Sequence, residues 1–197
     1  MTEQEQEWIL RYESGEALQW ANISRHKYLS EEFMETYAPF LRWMIISVFQ
    51  RLSEYFIEKN SNWINWKAAS VAQSMTEPFI EKHKSKIDWI AISNHQKLSE
   101  QFIRNNSYHV SWYAITLHQE LSDEFLKEFY DRINWKWRFS RFEISKDLLK
   151  WLYINYEPAL QHFKKLRNPD ALFRIVDSTE KVFLEISSNK RKYDNKF

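Results

Sequence analysis

The chain has 197 residues, of which 44% are hydrophobic and 17% aromatic, and its formal net charge at pH 7 is +1. A single glycine and the absence of cysteine exclude glycine-rich phosphate loops, dinucleotide-binding fingerprints, disulfides and thiolate chemistry. The first residues are acidic and polar, and no apolar run reaches the roughly 18 residues of a membrane span. We therefore expect a cytoplasmic protein without a signal peptide and without a membrane partner.

The amino-terminal segment, residues 1–17, has the pattern of one capping helix. Glutamates come before a short apolar run, and Gly15, the only glycine of the chain, follows it. Acidic residues stabilise the first turn of a helix, and glycine commonly ends one. These residues predict a helix that covers the first end of the structure that follows.

Six tryptophans recur at a constant interval of 23 residues, and the residues around them recur with the same period. The aligned units share the consensus W-x-x-I-S-x-x-Q-x-L-S-E-x-F-I. The tryptophans are Trp20, Trp43, Trp66, Trp89, Trp112 and Trp135. A period between roughly 20 and 50 residues indicates stacked repeats, in which each unit buries its apolar face against its neighbours.

The first half of each unit predicts a helix, which we call helix A. In the fourth unit Trp89, Ile92 and Gln96 lie at i, i+3 and i+7, on one stripe of an α-helix. In four of the six units an Asn, Asp or Ser precedes the tryptophan and can cap the helix. The alternative is a strand followed by a helix, as in leucine-rich repeats, because the segment IDWIAIS is rich in β-branched and aromatic residues. The apolar spacings of three and four favour the helix.

The second half of each unit predicts another helix, which we call helix B. Each begins with a serine or threonine, followed in five of six units by Asp or Glu at the first helical position. The predicted N-caps are Ser30, Ser53, Thr76, Ser99, Ser122 and Ser145. Pro78 falls within the first turn, where its missing N–H costs nothing. We attribute the acidic column to the helix dipole and not to catalysis.

The tryptophans and a column of glutamines are predicted to lie on the inward stripe of helix A, as the structural core of the repeat. The glutamines are Gln50, Gln73, Gln96 and Gln119. Buried amides need hydrogen-bond partners, and amides that bond across neighbouring units would fix the register of the stack.

The chain is thus predicted to be all-α, an α-solenoid of about six 23-residue helical hairpins with capping helices at both ends. We expect one elongated domain over residues 1–197. The amino-terminal cap helix covers residues 1–17, the repeats 18–157, the carboxy-terminal cap helices 158–188 and a polar, basic tail 189–197.

No catalytic, metal or cofactor site is expected. Three histidines, His26, His95 and His118, share the position six residues after the tryptophan. Without a cysteine or an aligned carboxylate they do not complete a ligand set for a metal. The sequence favours a semi-exposed surface column of histidines.

Positions of helix A that vary between units are candidates for partner binding, because several are aromatic or aliphatic where a solvated face would be polar. The candidate residues are Phe49, Asn94, His95, Tyr113, His118, Lys136, Trp137 and Arg141. Charge is also uneven, since residues 1–130 carry a net −5 and residues 131–197 a net +6. The basic end is either ordinary surface variation or a contact for an acidic protein or nucleic acid.

The units KIDWIAISNHQKLSEQFI and RLSEYFIEKNSNWINW resemble repeats in uncharacterised proteins of bacteriophages and large DNA viruses, over residues 18–157. The sixth unit departs from the pattern, with Phe142 in place of the glutamine and Lys146 in place of the acid. The resemblance implies a viral origin and no enzymatic activity. We expect a protein-binding scaffold that docks on a host protein, such as a defence factor, and inhibits it. A repeat protein that binds single-stranded nucleic acid is the alternative; the acidic body argues against it.

Overall fold

The computed structural model describes residues 1–156, except the side chains of residues 150 and 153. Within this range the chain forms thirteen α-helices and no β-strand, and helix pairs repeat about every 23 residues and pack on their neighbours. The helices are α1 (Glu3–Glu13), α2 (Trp20–Ser24), α3 (Glu31–Thr36), α4 (Trp43–Phe49), α5 (Glu54–Lys59), α6 (Trp66–Ala72), α7 (Glu77–Lys82), α8 (Trp89–His95), α9 (Glu100–Asn105), α10 (Trp112–His118), α11 (Asp123–Glu128), α12 (Trp135–Arg141) and α13 (Lys146–Asn155). The prediction of an all-α solenoid is confirmed. The predicted helices of residues 158–188 and the tail of residues 189–197 lie outside the described residues.

The described helices divide between two compact units that meet in sequence at Val110 and Ser111. The first unit, Met1–Val110, contains α1 and four helix pairs. The second unit begins at Ser111 and contains α10 to α13 among the described residues. The prediction of one domain for the whole chain stays a prediction.

Each helix A begins at its tryptophan, as the sequence predicts. In four units the side chain of the preceding residue accepts a hydrogen bond from the backbone of the first turn; these residues are Asn65, Asp88, Ser111 and Asn134. Gln19 and Arg42, which are poor capping residues, form no such bond. The four predicted caps are therefore confirmed.

All six predicted caps of helix B are also confirmed, since each Ser or Thr oxygen accepts a hydrogen bond from the backbone N–H three residues later. Pro78 lies in the first turn of α7, as predicted. Helices of six or seven residues are unstable alone, so packing between neighbouring 23-residue repeats must supply most of the stability. No helix in residues 1–156 is long and apolar enough to cross a membrane.

The amino-terminal helix α1 is closed at both ends by its own residues. Thr2 and Glu5 form a reciprocal capping box at its start. At its end Gly15 has a φ of 86°, in the left-handed region that glycine enters without strain. The N–H groups of Gly15 and Glu16 donate to the carbonyls of the last turn, which is the Schellman arrangement. The predicted capping helix and its glycine end are confirmed.

In the first compact unit, Gln50, Gln73 and Gln96, which end their helices A, each bond the backbone of the repeat before them. Gln73 is buried, and its Oε1 accepts a hydrogen bond from the N–H of Leu52 at 3.0 Å. Its Nε2 donates to the carbonyls of Ser47 and Gln50 at 2.9 and 2.7 Å. Gln96 repeats this arrangement one unit later. The glutamine side chains therefore bond backbone groups of the preceding repeat, and these hydrogen bonds set the register of neighbouring repeats.

The acidic residues that follow the caps of helix B also join neighbouring units. The carboxylate of Glu54 accepts hydrogen bonds from the backbone N–H of Thr76 at 2.5 Å and from its hydroxyl at 3.1 Å. Glu31 and Glu77 accept from the caps of the helices B that follow them. An attribution of this column to the helix dipole alone is incomplete, because each of these carboxylates also bonds the N-cap of the next unit.

The repeat tryptophans, predicted to lie inward, differ in burial. Two of the six are buried, and the other four are partly exposed. The indole of Trp89 lies between the rings of Phe102 and His109, at centroid distances of 6.2 and 5.1 Å. Its Nε1 donates to the carbonyl of Lys84, in the turn before the helix. This bond satisfies the indole N–H, and the fully buried residues of α8 are Ile92 and Ser93.

Candidate partner-binding surface

A group of exposed apolar side chains crosses three successive helices A of the first compact unit. The helices α4, α6 and α8 pack side by side. We call their exposed apolar group the helix-A face; it consists of Met44, Val48 and Phe49 on α4, Val71 on α6 and Ile90 on α8. Met44, Phe49 and Ile90 have 63%, 63% and 65% of their surface exposed. Isolated exposed apolar residues are normal, but a group on adjacent helices is typical of a binding surface.

The orientation of the helix-A face follows from the residues that each helix buries. On α4, Ile46 and Ser47 are buried, which turns the residues one, five and six after the tryptophan to solvent. In the next unit the hydroxyl of Ser70 donates to the carbonyl of Trp66 at 2.7 Å and accepts from the N–H of Asp88 at 3.0 Å. Because a small side chain makes this contact, consecutive helices A start close together.

The segments that contain the helices A of the first compact unit are rich in basic residues. In the first compact unit, the helix-A segments 19–28, 42–51, 65–74 and 88–97 carry six basic residues and one acidic residue. The basic residues, all exposed, are Arg25, Lys27, Arg42, Arg51, Lys67 and Lys97. The helix-B segments 29–36, 52–59, 75–82 and 98–105 carry three basic and eight acidic residues. The net charges of +5 and −5 cancel, so the overall charge of the chain conceals this separation.

Basic residues on the two sides of the helix pairs differ in their partners. On the helix-B side, the Nζ of Lys59 lies 2.7 Å from the carboxylate of Glu35, and Lys82 pairs with Glu58. These hydrogen bonds lower the pKa of both glutamates. Within residues 1–156, none of the six basic residues on the helix-A side forms an ion pair. Their charge is therefore available to a partner.

Three of the predicted binding residues belong to the first compact unit. Phe49 is part of the helix-A face, and His95 is exposed. Asn94 is half-buried, and its amide donates to the carbonyl of Ile90 at 2.8 Å, so part of its hydrogen-bonding capacity is used within the helix. The other four residues of the helix-A face, Met44, Val48, Val71 and Ile90, are absent from the predicted set. The six basic residues of these segments are also absent, and a count of charge by repeat position would have found them.

The other five predicted binding residues belong to the second compact unit: Tyr113, His118, Lys136, Trp137 and Arg141. All five are exposed. The Nζ of Lys136 lies 5.4 Å from the ring centre of Trp137, a cation–π contact. The guanidinium of Arg141 donates to the carbonyl of Leu117 at 3.1 Å. These contacts order part of the exposed surface of α12.

Arg138 is a buried arginine that the sequence did not single out. It stands where most units have an isoleucine, and its guanidinium donates to the carbonyls of Gln119 and Leu121 at 2.8 and 3.4 Å. It also lies 3.8 Å from the ring centre of Phe142, which replaces the repeat glutamine. Burial lowers the pKa of Arg138 to about 10, with partial opposition from Asp123. The arginine remains charged at neutral pH and bonds backbone groups in place of the missing amide.

The histidines occupy different environments. His26, His95 and His118 are exposed, as predicted for their column. His83 is buried against Trp66, at a ring-centroid distance of 4.9 Å, and burial lowers its pKa. Within residues 1–156 its Nε2 has no hydrogen-bond partner. The same residues contain no group of three or more histidine, aspartate or glutamate side chains placed to hold a metal ion.

Comparisons of the chain with protein-family models, with curated proteins and with solved structures found no match.

Proposed function

We propose that the chain is a non-enzymatic repeat scaffold that binds another protein through the helix-A face. The observation that carries this proposal is the group of exposed apolar side chains on three adjacent helices, in which Met44, Phe49 and Ile90 are each mostly uncovered. Removal of such surface from water is the main driving force of protein association. A partner that covers the group would supply that driving force.

Single-stranded nucleic acid is the second candidate, and the basic surface around the helix-A face favours it. Binding of single strands usually relies on aromatic side chains on which successive bases stack. Phe49 is the only aromatic residue of the helix-A face, beside four aliphatic side chains. Aliphatic side chains suit a protein partner, and for this reason we keep nucleic acid as the second candidate.

A narrower proposal concerns the identity of the partner. We propose a host protein, such as a defence factor, whose activity is blocked when the chain binds it in the host cytoplasm. The support for this proposal is the resemblance of the 23-residue repeat to repeats of bacteriophage and large DNA virus proteins.

Affinity capture with matched variants tests the general proposal. The double variant Met44→Glu and Ile90→Glu places charge in the helix-A face. The control is Tyr55→Glu, because Tyr55 is 72% exposed but lies on helix B. We expect a stoichiometric protein to co-purify with the wild type and the control and to be lost with the double variant, while all three proteins melt at similar temperatures.

Equal capture by all three proteins, or no captured protein, would contradict the proposal. Binding to single-stranded RNA or DNA at low salt, without any protein partner, would favour the second candidate instead.

A further inference from the structure

The helix-A face combines exposed apolar side chains with basic side chains that have no ion-pair partner in residues 1–156, and this combination selects a type of partner. We propose that the helix-A face binds an acidic amphipathic α-helix of another protein, which lies across α4, α6 and α8. This inference rests on the proposed function. The bound helix presents an apolar stripe to the face and carries aspartates and glutamates on both flanks of that stripe.

The positions of the basic residues determine where the acidic residues of the partner must lie. Arg42 immediately precedes α4, and Arg51 follows the glutamine that ends it. Lys97 has the equivalent position after α8. A partner helix across the middle of these helices therefore has Arg51 and Lys97 on one side and Arg42 on the other, where α8 has its cap Asp88. Carboxylates on both of its flanks match them, and charge complementarity of this kind selects the partner and its orientation.

The usual spacing of packed helices is close to the heptad repeat of an α-helix. Packed helices lie about 8–10 Å apart, so α4, α6 and α8 offer apolar contacts at that interval. An α-helix rises about 1.5 Å per residue, and residues seven apart are separated by about 10.5 Å along one face. A partner helix thus brings one apolar residue of each heptad to each helix A. Met44 and Ile90 lie one residue after their tryptophans, and Val71 lies one turn further along α6, where Lys67 occupies the position equivalent to Met44.

The width of the face favours a helix over an extended chain. Met44 and Val48 lie one turn apart on α4, which corresponds to about 6 Å along the helix axis. An α-helix with its side chains is about 10 Å wide and covers both residues. An extended chain, for which neighbouring strands are spaced about 4.8 Å, covers only one of them.

A designed peptide tests the inference on the full-length chain. The probe is a labelled, stapled helical peptide of three heptads, with leucine at the a and d positions and glutamate at the flanking positions. A matched peptide carries lysine in place of every glutamate. By fluorescence anisotropy we expect the glutamate peptide to bind and the lysine peptide to bind at least about tenfold more weakly.

Variants of the chain locate the site. The double variant Arg51→Glu and Lys97→Glu should weaken binding of the glutamate peptide by at least about tenfold. The control Lys59→Glu reverses a charge on the helix-B side and should change binding by less than about twofold. All three substituted positions are exposed, and thermal melting checks that the proteins are folded.

Three results would overturn the inference. The first is equal binding of the two peptides, and the second is binding of a single-stranded oligonucleotide but of neither peptide. The third is that the glutamate peptide fails to bind although capture of a cellular protein still depends on Met44 and Ile90. That result would leave the proposed function intact. Capture that does not depend on these residues would remove the proposed function and this inference together.

Discussion

The carboxylate of Glu54, in the first turn of one helix B, accepts two hydrogen bonds from Thr76, the N-cap of the next helix B. Thr76 donates its backbone N–H and its hydroxyl to these bonds, and its side-chain oxygen accepts from the N–H of Phe79. One acidic side chain thus joins the amino-terminal ends of two helices that would be unstable alone. Contacts of this type tie the stack of helices B together.

Glu54→Ala should therefore lower the free energy of unfolding by about 1–2 kcal/mol, because hydrogen bonds to a charged group are stronger than neutral ones and Glu54 is half-buried. Denaturant unfolding followed by circular dichroism measures the loss. The control is Glu120→Ala, which removes an exposed carboxylate. Equal stability of the two variants would show that the link between units contributes nothing.

Gln73→Leu should cost more, about 3 kcal/mol, since it leaves the N–H of Leu52 and the carbonyls of Ser47 and Gln50 without their side-chain partner in a buried site. The same denaturant unfolding provides the measurement. Gln101→Leu is the matched control, because Gln101 is exposed and bonds only to Asn105 among the described residues. A cost below about 1 kcal/mol for Gln73→Leu would refute the role of the amide ladder.

His83 should make stability depend on pH. Burial lowers its pKa below the ordinary value of 6.5, an effect that Lys82 and Lys86 reinforce and Glu58 and Glu54 oppose. The unfolded chain then binds more protons than the folded chain as the pH falls below 6.5. The stability that neutral His83 contributes is complete above pH 6.5 and is lost as the pH falls toward the lowered value.

His83→Asn should reduce this dependence. The equivalent residues Asn60 and Asn106 donate their amides to the carboxylates of Glu35 and Glu81, and an asparagine at position 83 has Glu58 as the corresponding acceptor. Unfolding free energies at about pH 7.5 and about pH 5 should differ less for the variant than for the wild type. An unchanged difference would mean that His83 is not the titrating group.

The sequence predicted the fold well because its signals were local and repeated. Side-chain capping of helix A at Asp88 and of helix B at Ser99 depends on residues within one turn, and the 23-residue period supplied independent copies of each signal. Gly15 ended the first helix as expected, since glycine adopts the left-handed conformation at no steric cost.

Contacts between units were harder to predict. Glu54 bonds Thr76, which is 22 residues away. This contact depends on how the repeats stack, and the positions of the helices in the sequence do not specify it. The sequence did not predict the bonds of Arg138 to the backbone of the preceding repeat, because the arginine occupies a position that is isoleucine in most repeats. Its bonds replace those of the repeat glutamine, whose position is occupied by Phe142. The net charges of residues 1–130 and 131–197 carry no signal of the basic helix-A side, which emerges only when charge is counted by repeat position.

Site-specific photo-crosslinking tests the central claim most directly. A photoreactive amino acid replaces Phe49 on the helix-A face in one variant and Tyr55 on helix B in the other. Both residues are well exposed. If the helix-A face binds a protein, position 49 should crosslink to one discrete partner and position 55 should not. Equal crosslinking from both positions, or crosslinking from position 55 alone, would contradict the account.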